Sequence, residues 1–165
     1  MPDIRHELLI GAPAEKIYNA ITHQEGLAAW WTPAATAQPE LNTIARFPFG
    51  PDYHKEMKVT ELKPGKLLKW TCIAGAEEWV GTHISFELKS GDKDSMKDSD
   101  SELSDQLSQQ KDQKITLLSF HHDDWKGHTP MFAECNYTWA LFLRSLKLLC
   151  ETGKGRPWPN QHRVE

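Results

Sequence analysis

The longest amphipathic stretch of the chain limits its fold more than any other feature. The segment TWALFLRSLKLLCETGKG, residues 138–155, places apolar side chains at the three- and four-residue spacing of one helix face. Thr129 and Pro130 match an N-cap and a first helical position, while Gly153 followed by Pro157 matches a helix end. A helix of about six turns is predicted. Its wide apolar face must pack on an equally large apolar surface.

A sheet is the surface that the preceding sequence predicts. From residue 43 to 122 apolar residues recur with a period of two, and alternation within DIRHELLI predicts one more strand near the N-terminus. Two short helices, one opened by Pro13 and one within LAAWWTP, follow that first strand. The other predicted strands are 43–49, 54–62, 66–73, 78–88 and 114–122. The order predicts an α+β fold in which a curved antiparallel sheet wraps around the long C-terminal helix.

Charge is unevenly distributed along the 165 residues. Segment 90–113 holds seven acidic residues and three lysines, a net charge of −4 that equals that of the whole chain. Its scarcity of apolar residues predicts a flexible acidic insertion within a single domain spanning 1–158, with a tail at 159–165. The rest of the chain is neutral and lacks a basic stripe, so nucleic acid is not an expected partner.

Membrane association and secretion are not expected either. No apolar run reaches the ~20 residues that cross a bilayer, and MPDIRHELLIG lacks the basic start and apolar core of a signal peptide. The three cysteines lack a zinc-ligand spacing, and because their number is odd they cannot all pair in disulfides. These features predict a cytoplasmic protein with buried thiols.

Residues capable of catalysis or metal binding are few. The group His121, His122, Asp123, Asp124 and His128 could supply nitrogen and oxygen ligands. Adjacent strand residues point to opposite faces, however, so a polar strand end is the preferred interpretation and no metal or cofactor is expected.

No nucleophile motif is present, so no catalytic residue is predicted. Glu61 and His83 are the evident candidates for an acid–base pair, but alternation places His83 on the solvent face.

A cavity is expected because one helix cannot fill the concave face of a sheet with six strands. The Trp30–Trp31 doublet follows a glycine break. Either the doublet closes the mouth of this cavity, or one of the two rings fills the core and the other is half-exposed. Aromatic side chains offer a large contact area to an apolar ligand. The residues predicted to line the cavity are Trp30, Trp31, Phe47, Trp70, Ile84, Phe86, Phe132, Cys135, Trp139 and Leu143.

Three segments carry a resemblance to a known family. APAEKIYNAITHQEGLAAWWTP, EWVGTHISFEL and WALFLRSLKLLCETGKGRPWP resemble bacterial relatives of the activator of heat-shock protein 90 ATPase. That family belongs to the START-like, Bet v 1-like (SRPBCC) helix-grip superfamily. The resemblance implies a deep apolar cavity that binds a small hydrophobic molecule. A chaperone-interacting module is the first alternative that it implies, and a cyclase or hydrolase acting in the cavity is the second.

A second apolar line runs along the outer side of the long helix. Tyr137, Leu141 and Leu148 share this side, and three such residues at spacings of four and seven form a stripe. Two interpretations remain open: the tail folds back so that Trp158 covers the stripe, or a second subunit of a homodimer binds there.

Overall fold

The computed structural model describes residues 1–92 and 114–164. Within them, six strands form one curved, open antiparallel sheet in the order β1-β6-β5-β4-β3-β2, and three helices are present. The predicted α+β helix-grip architecture is confirmed. The elements are β1 (Ile4–Ile10), α1 (Ala14–Thr22), α2 (Gln24–Trp30), β2 (Ile44–Pro48), β3 (His54–Lys63), β4 (Leu67–Ala74), β5 (His83–Asp92), β6 (Lys114–Asp123) and α3 (Pro130–Thr152).

The long helix α3 begins and ends where the sequence places it. The Thr129 side chain accepts a hydrogen bond from the Phe132 N–H at 3.2 Å, and Pro130 occupies the first turn. Gly153 has a φ of 86°, the left-handed conformation that ends helices and that favours glycine. None of the helices in the described part of the chain is long and apolar enough to cross a membrane.

Strand β5 starts later than predicted and ends later. Residues 78–82, expected as its first half, form a turn in which Gly81 has a φ of 90°. The Trp79 backbone N–H donates to the Ala76 carbonyl at 2.9 Å, while Gly81 and Thr82 bond back to Cys72 of β4. Val80 lies in this turn and is 40% exposed.

The far end of β5 runs into the segment predicted as an insertion. Ser90, Gly91 and Asp92 pair with Thr116, Ile115 and Lys114 of β6. The predicted flexible insertion over 90–113 otherwise lies outside the described residues.

The two short helices pack closely because Gly26, which has no side chain, lies at their point of contact. A Cβ on Gly26 would lie 2.5 Å from the Ala20 carbonyl oxygen, so no other residue fits without a shift. At the same contact the Trp30 indole N–H donates to the Ala20 carbonyl at 2.8 Å. This contact holds α2 so that Trp30 and Trp31 both point into the core.

The C-terminal segment packs against the end of α2. The Trp158 N–H donates to the Trp31 carbonyl at 2.7 Å, and the Trp158 ring lies 5.9 Å from that of Phe49. The contacts found for Trp158 are thus with these residues and not with the outer stripe of α3. Arg144, on the stripe side of α3, donates to the Arg163 carbonyl at 3.2 Å.

Candidate functional site

The structure gathers the predicted lining residues between α3 and the sheet, but most of them form the core. Phe132 and Cys135, on the N-terminal half of α3, are only half-buried and contact the core from its edge. The other eight are at most 2% exposed: Trp30, Trp31, Phe47, Trp70, Ile84, Phe86, Trp139 and Leu143. Neither member of the tryptophan doublet is at a surface, so both belong to the core.

Aromatic rings fill the centre of the grip by packing on one another. The Trp31 indole stacks between those of Trp30 and Trp70, with centroids 5.8 Å away on each side and planes within 11° and 9° of parallel. Trp139 lies 5.1 Å from Trp31 and 4.5 Å from Phe120. A cavity beside Trp70 has a volume of about 10 Å³, room for at most one water molecule.

A larger groove lies outside the core, between α1 and the C-terminal end of α3. Its volume is about 410 Å³, and it contains none of the ten predicted lining residues. Ala20, Leu149 and Cys150 are among the residues that line it. Burial raises the pKa of the Cys150 thiol to about 11, so this thiol is neutral at physiological pH.

His122 is buried in the core and is fixed there by three hydrogen bonds in series. The Trp139 indole N–H donates to His122 Nδ1 at 3.0 Å, and His122 Nε2 lies 2.8 Å from Thr82 Oγ1. The Thr82 hydroxyl donates to the Trp79 carbonyl at 2.6 Å. Because Nδ1 accepts, the proton of the neutral ring must be on Nε2, which donates to Thr82.

The neutral form of His122 is the one that this series of bonds requires. Burial, the Lys55 charge and the His83 charge lower the pKa of His122 to about 3. Both ring nitrogens are already bonded, so neither is free to exchange a proton with a substrate.

A second nitrogen base, Lys55, enters the same interior from β3. Its Nζ lies 3.6 Å from the Trp79 ring centroid and 4.6 Å from that of Phe49. Trp31 and Tyr53 complete the set, at 5.8 and 5.9 Å. We call these four rings and the enclosed ammonium the Lys55 cage. Cation–π attraction to four rings offsets part of the cost of moving the charge out of water.

Within the described part of the chain, Lys55 has neither an ion pair nor a hydrogen bond at Nζ. Burial lowers the pKa of Lys55 to about 8, while weaker interactions with Cys135 and Cys72 act in the opposite direction. Burial also raises the pKa of both thiols, so at neutral pH neither supplies a negative charge.

The loop 75–82, which carries Trp79, is held from three sides. The Ala76 N–H donates to Tyr53 Oη at 3.0 Å, and the Thr129 hydroxyl donates to the Glu78 carboxylate at the start of α3. Thr82 bonds to His122 as described above. Gly75 packs onto the Lys55 stem so closely that a Cβ there would lie 3.3 Å from Lys55 Cγ. The cage is therefore built before any ligand arrives.

The residues considered for catalysis or metal binding do not assemble into such a site. His83 is exposed and bonds to Asp124 at 2.7 Å, whereas Glu61 forms ion pairs with Lys63 and Lys69. His122 is buried and His121 is half-buried, which agrees with their expected placement on opposite faces. No group of three or more potential ligands is found among the described residues.

Lys55 is not among the residues predicted from the sequence, although the strand pattern contains a signal for it. Lys55 is two residues before Met57 and four before Val59, both inward-facing and buried, so it shares their face of β3. Its antiparallel partner is the buried Phe47. An inward-facing lysine at this register position could have been predicted from alternation alone.

A curved antiparallel sheet gripping a long C-terminal helix defines the chain as a helix-grip protein of the α+β class. The sequence matches the family described as "Activator of Hsp90 ATPase homolog 1-like protein" over residues 11–151. The chain belongs to this family, as its resemblance suggested. A comparison with proteins of curated function finds no match.

Solved structures extend this assignment. The Aha1 dimer from Colwellia psychrerythraea is 34% identical, with a TM-score of 0.73 over 94% of this chain and 100% of that one. A protein from Staphylococcus saprophyticus shares 13% identity and a TM-score of 0.67, with 93% of this chain and 95% of that one covered. DynU16, from the dynemicin biosynthetic locus, has 19% identity and a TM-score of 0.65, with 93% of this chain and 48% of that one covered. The last two show the fold alone.

Proposed function

We propose that the protein binds a small hydrophobic molecule between the N-terminal half of α3 and the sheet, around the Lys55 cage. The observation that carries this proposal is the gathering of half-buried apolar side chains around one inward cation. Phe49 contacts Lys55 directly, and the indole N–H of Trp79 bonds to the thiol of Cys135 on α3. Phe132 packs on Trp125 with a centroid separation of 5.5 Å, and Trp125 packs on Trp79 at 5.9 Å.

The site differs from the cavity that the sequence predicted. The central residues are closed by their own ring packing, so a ligand would contact Phe132 and Cys135 at the edge and not Trp30 or Ile84 deep in the core. Half-buried rings around a pre-built cage leave apolar surface for a flat or alkyl ligand without opening the core.

The test is to titrate a neutral apolar fluorophore, N-phenyl-1-naphthylamine, into the protein and two truncated variants. We expect Phe49→Ala and Phe132→Ala each to weaken binding about five- to tenfold, because each removes apolar contact of about 1 to 1.4 kcal/mol. Leu149→Ala is the matched control, since Leu149 is also half-buried on α3 but lines the other groove. Weakening by the control alone would place the ligand in that groove.

A homodimer is a second proposal that a specific observation favours. Tyr137 is 65% exposed on α3, beside the half-buried Leu141 and Leu148, and the similar Colwellia protein was solved as a dimer. We expect light scattering to give twice the chain mass, and Tyr137→Glu to give the monomer. Scattering at the monomer mass for the unchanged protein over the micromolar range would contradict this proposal.

Two alternatives remain within the family. Contact with a chaperone, in line with the family description, would place this protein in the cytoplasm, and it would require binding through the outer surface. A cyclase or hydrolase is less well supported, because the buried His122 has both nitrogens bonded within the protein.

A further inference from the structure

We propose that the Lys55 cage recognises the carboxylate of a hydrophobic monocarboxylic acid, with the surrounding rings holding its apolar body. This inference rests on the proposed ligand-binding function and names the class of ligand. Its basis is geometric: an inward ammonium is held among four rings, with neither an acid nor a carbonyl bonded to it in the described part of the chain.

A second unpaired donor is present next to the same ring. The indole N–H of Trp125 is buried and has no hydrogen-bond partner among the described residues, and the Trp125 ring packs edge-on against Trp79. Buried donors without acceptors are uncommon in folded proteins. Two donors without acceptors, both adjacent to Trp79, indicate an anionic ligand rather than a cationic one.

The surroundings favour a single carboxylate over a phosphate or a diacid. Among the described residues, Lys55 is the one cation whose Nζ lies over these rings, so one negative charge is balanced and a second would be left without a partner. The rest of the cage wall is aromatic, which suits an aryl or alkyl body.

Proton linkage gives this recognition a definite pH dependence. A carboxylate binds the protonated amine, so its affinity should be constant below the pKa of Lys55 and should fall as pH rises above it, about tenfold per unit. The pKa of Lys55 in the free protein is lowered to about 8.

The groups around Lys55 do not obscure this dependence. Tyr53 precedes β3, Cys72 lies on β4, Cys135 on α3 and His122 on β6. Burial raises the pKa of the first three above their ordinary values of 10.0, 9.0 and 9.0, and the pKa of His122 is lowered to about 3, so the charge of these groups changes little from pH 6 through the onset of the decline above pH 8. The charges of Glu134 and Glu78 raise the pKa of Cys135 further.

The experiment compares acids with their neutral amides by isothermal titration. Ligands are 2-naphthoate and decanoate, each beside 2-naphthamide or decanamide, with the unchanged protein, Lys55→Met and Lys58→Met. Lys58 is the matched control because it lies on the same strand but on the exposed face. We expect each acid to bind at least tenfold more tightly than its amide at pH 7. This preference should vanish in Lys55→Met, persist in Lys58→Met and decline above pH 8.

The outcomes separate the two proposals. Equal binding of acid and amide would overturn carboxylate recognition while leaving hydrophobic ligand binding intact. A preference for the acid that survives Lys55→Met would also overturn it, since another cation would then be responsible. Absence of binding by all four compounds would contradict the proposed function itself, and carboxylate recognition with it.

Discussion

His122, which is buried, and Lys55, which is half-buried, are both nitrogen bases among the same aromatic rings, yet their polar atoms are paired in opposite ways. His122 has a partner at each nitrogen, and the bonds continue through Thr82 to a backbone carbonyl. Lys55 has rings on its sides and no acceptor at its end among the described residues. A fully bonded polar group stabilises and orients a core, whereas an unpaired one costs free energy.

This contrast in hydrogen bonding indicates which of the two residues has a structural role. Replacing a lysine by an apolar residue of similar length would remove the cost of burying its charge, so folding alone gives no reason for Lys55 to be there. His122, in contrast, links β6 to α3 and to the turn that carries Trp79. We therefore interpret His122 as part of the scaffold and Lys55 as part of the site.

The largest expected effect comes from removing the Trp139 indole, whose N–H donates to His122. Trp139→Ala should lower the free energy of unfolding by about 4–5 kcal/mol, because it deletes a packed indole and leaves Nδ1 without a donor. Trp139→Phe, which keeps most of the ring, should cost about 1–3 kcal/mol. Urea unfolding with an unchanged m value measures both. A loss for Trp139→Ala below about 2 kcal/mol would mean that Trp139 borders a void after all.

The second-largest effect is expected from acidification, which should lower the free energy of unfolding through His122. Its folded-state pKa of about 3 lies below its ordinary value of 6.5, so the stability it contributes is complete above pH 6.5. That stability is lost as pH falls from 6.5 toward 3, to a total on the order of 4 kcal/mol. Unfolding measured at successive pH values should show a shallower loss for His122→Gln. His162→Gln, at an exposed histidine of the C-terminal segment, should retain the slope of the unchanged protein, and equal slopes in all three would contradict the assignment.

Replacing Lys55 should raise the stability of the protein, whereas replacing Trp139 should lower it. Lys55→Met should stabilise the protein at pH 7 by about 1–2 kcal/mol, because the buried charge is removed and an apolar chain of similar length remains. The folded-state pKa of about 8 lies below the ordinary 10.5, so the unchanged protein gains stability as pH rises between them. The advantage of Lys55→Met should therefore shrink toward pH 10. Destabilisation by Lys55→Met at pH 7 would mean that the cage needs the ammonium for folding.

The smallest effect is expected from shortening the segment between β5 and β6, which joins Asp92 to Lys114. Asp92 and Lys114 pair directly, so an Asn-Gly turn can join them in place of 93–113 if that segment is an insertion within a single domain over 1–158. A shorter loop costs less to close, so stability should stay equal or rise by at most about 2 kcal/mol. Thermal unfolding checks this. The titrations of His122 and Lys55 should be unaffected, and a shift in either would show that the segment reaches them.

Parts of this fold follow from local patterns because short-range physics decides them. Thr129, Pro130 and Gly153 set the ends of α3 by capping, and alternation of apolar residues sets the strands and their inward faces. Alternation also explains why His122 is inward and His121 is not. Of the ten predicted lining residues, four were identified as inward-facing by alternation on strands, and their burial makes them core: Phe47, Trp70, Ile84 and Phe86.

Local sequence patterns do not show which inward-facing side chains contact each other. Alternation extended β5 back to residue 78 and so placed Trp79 on a strand, whereas long-range bonds to Thr129, Tyr53 and His122 hold its loop above Lys55. Alternation on β3 is sufficient to place a lysine on the inward face, although this lysine was not predicted. Its position over Trp79, with no anion bonded to it among the described residues, follows from the fold, because pairing of distant polar groups depends on three-dimensional approach and not on periodicity.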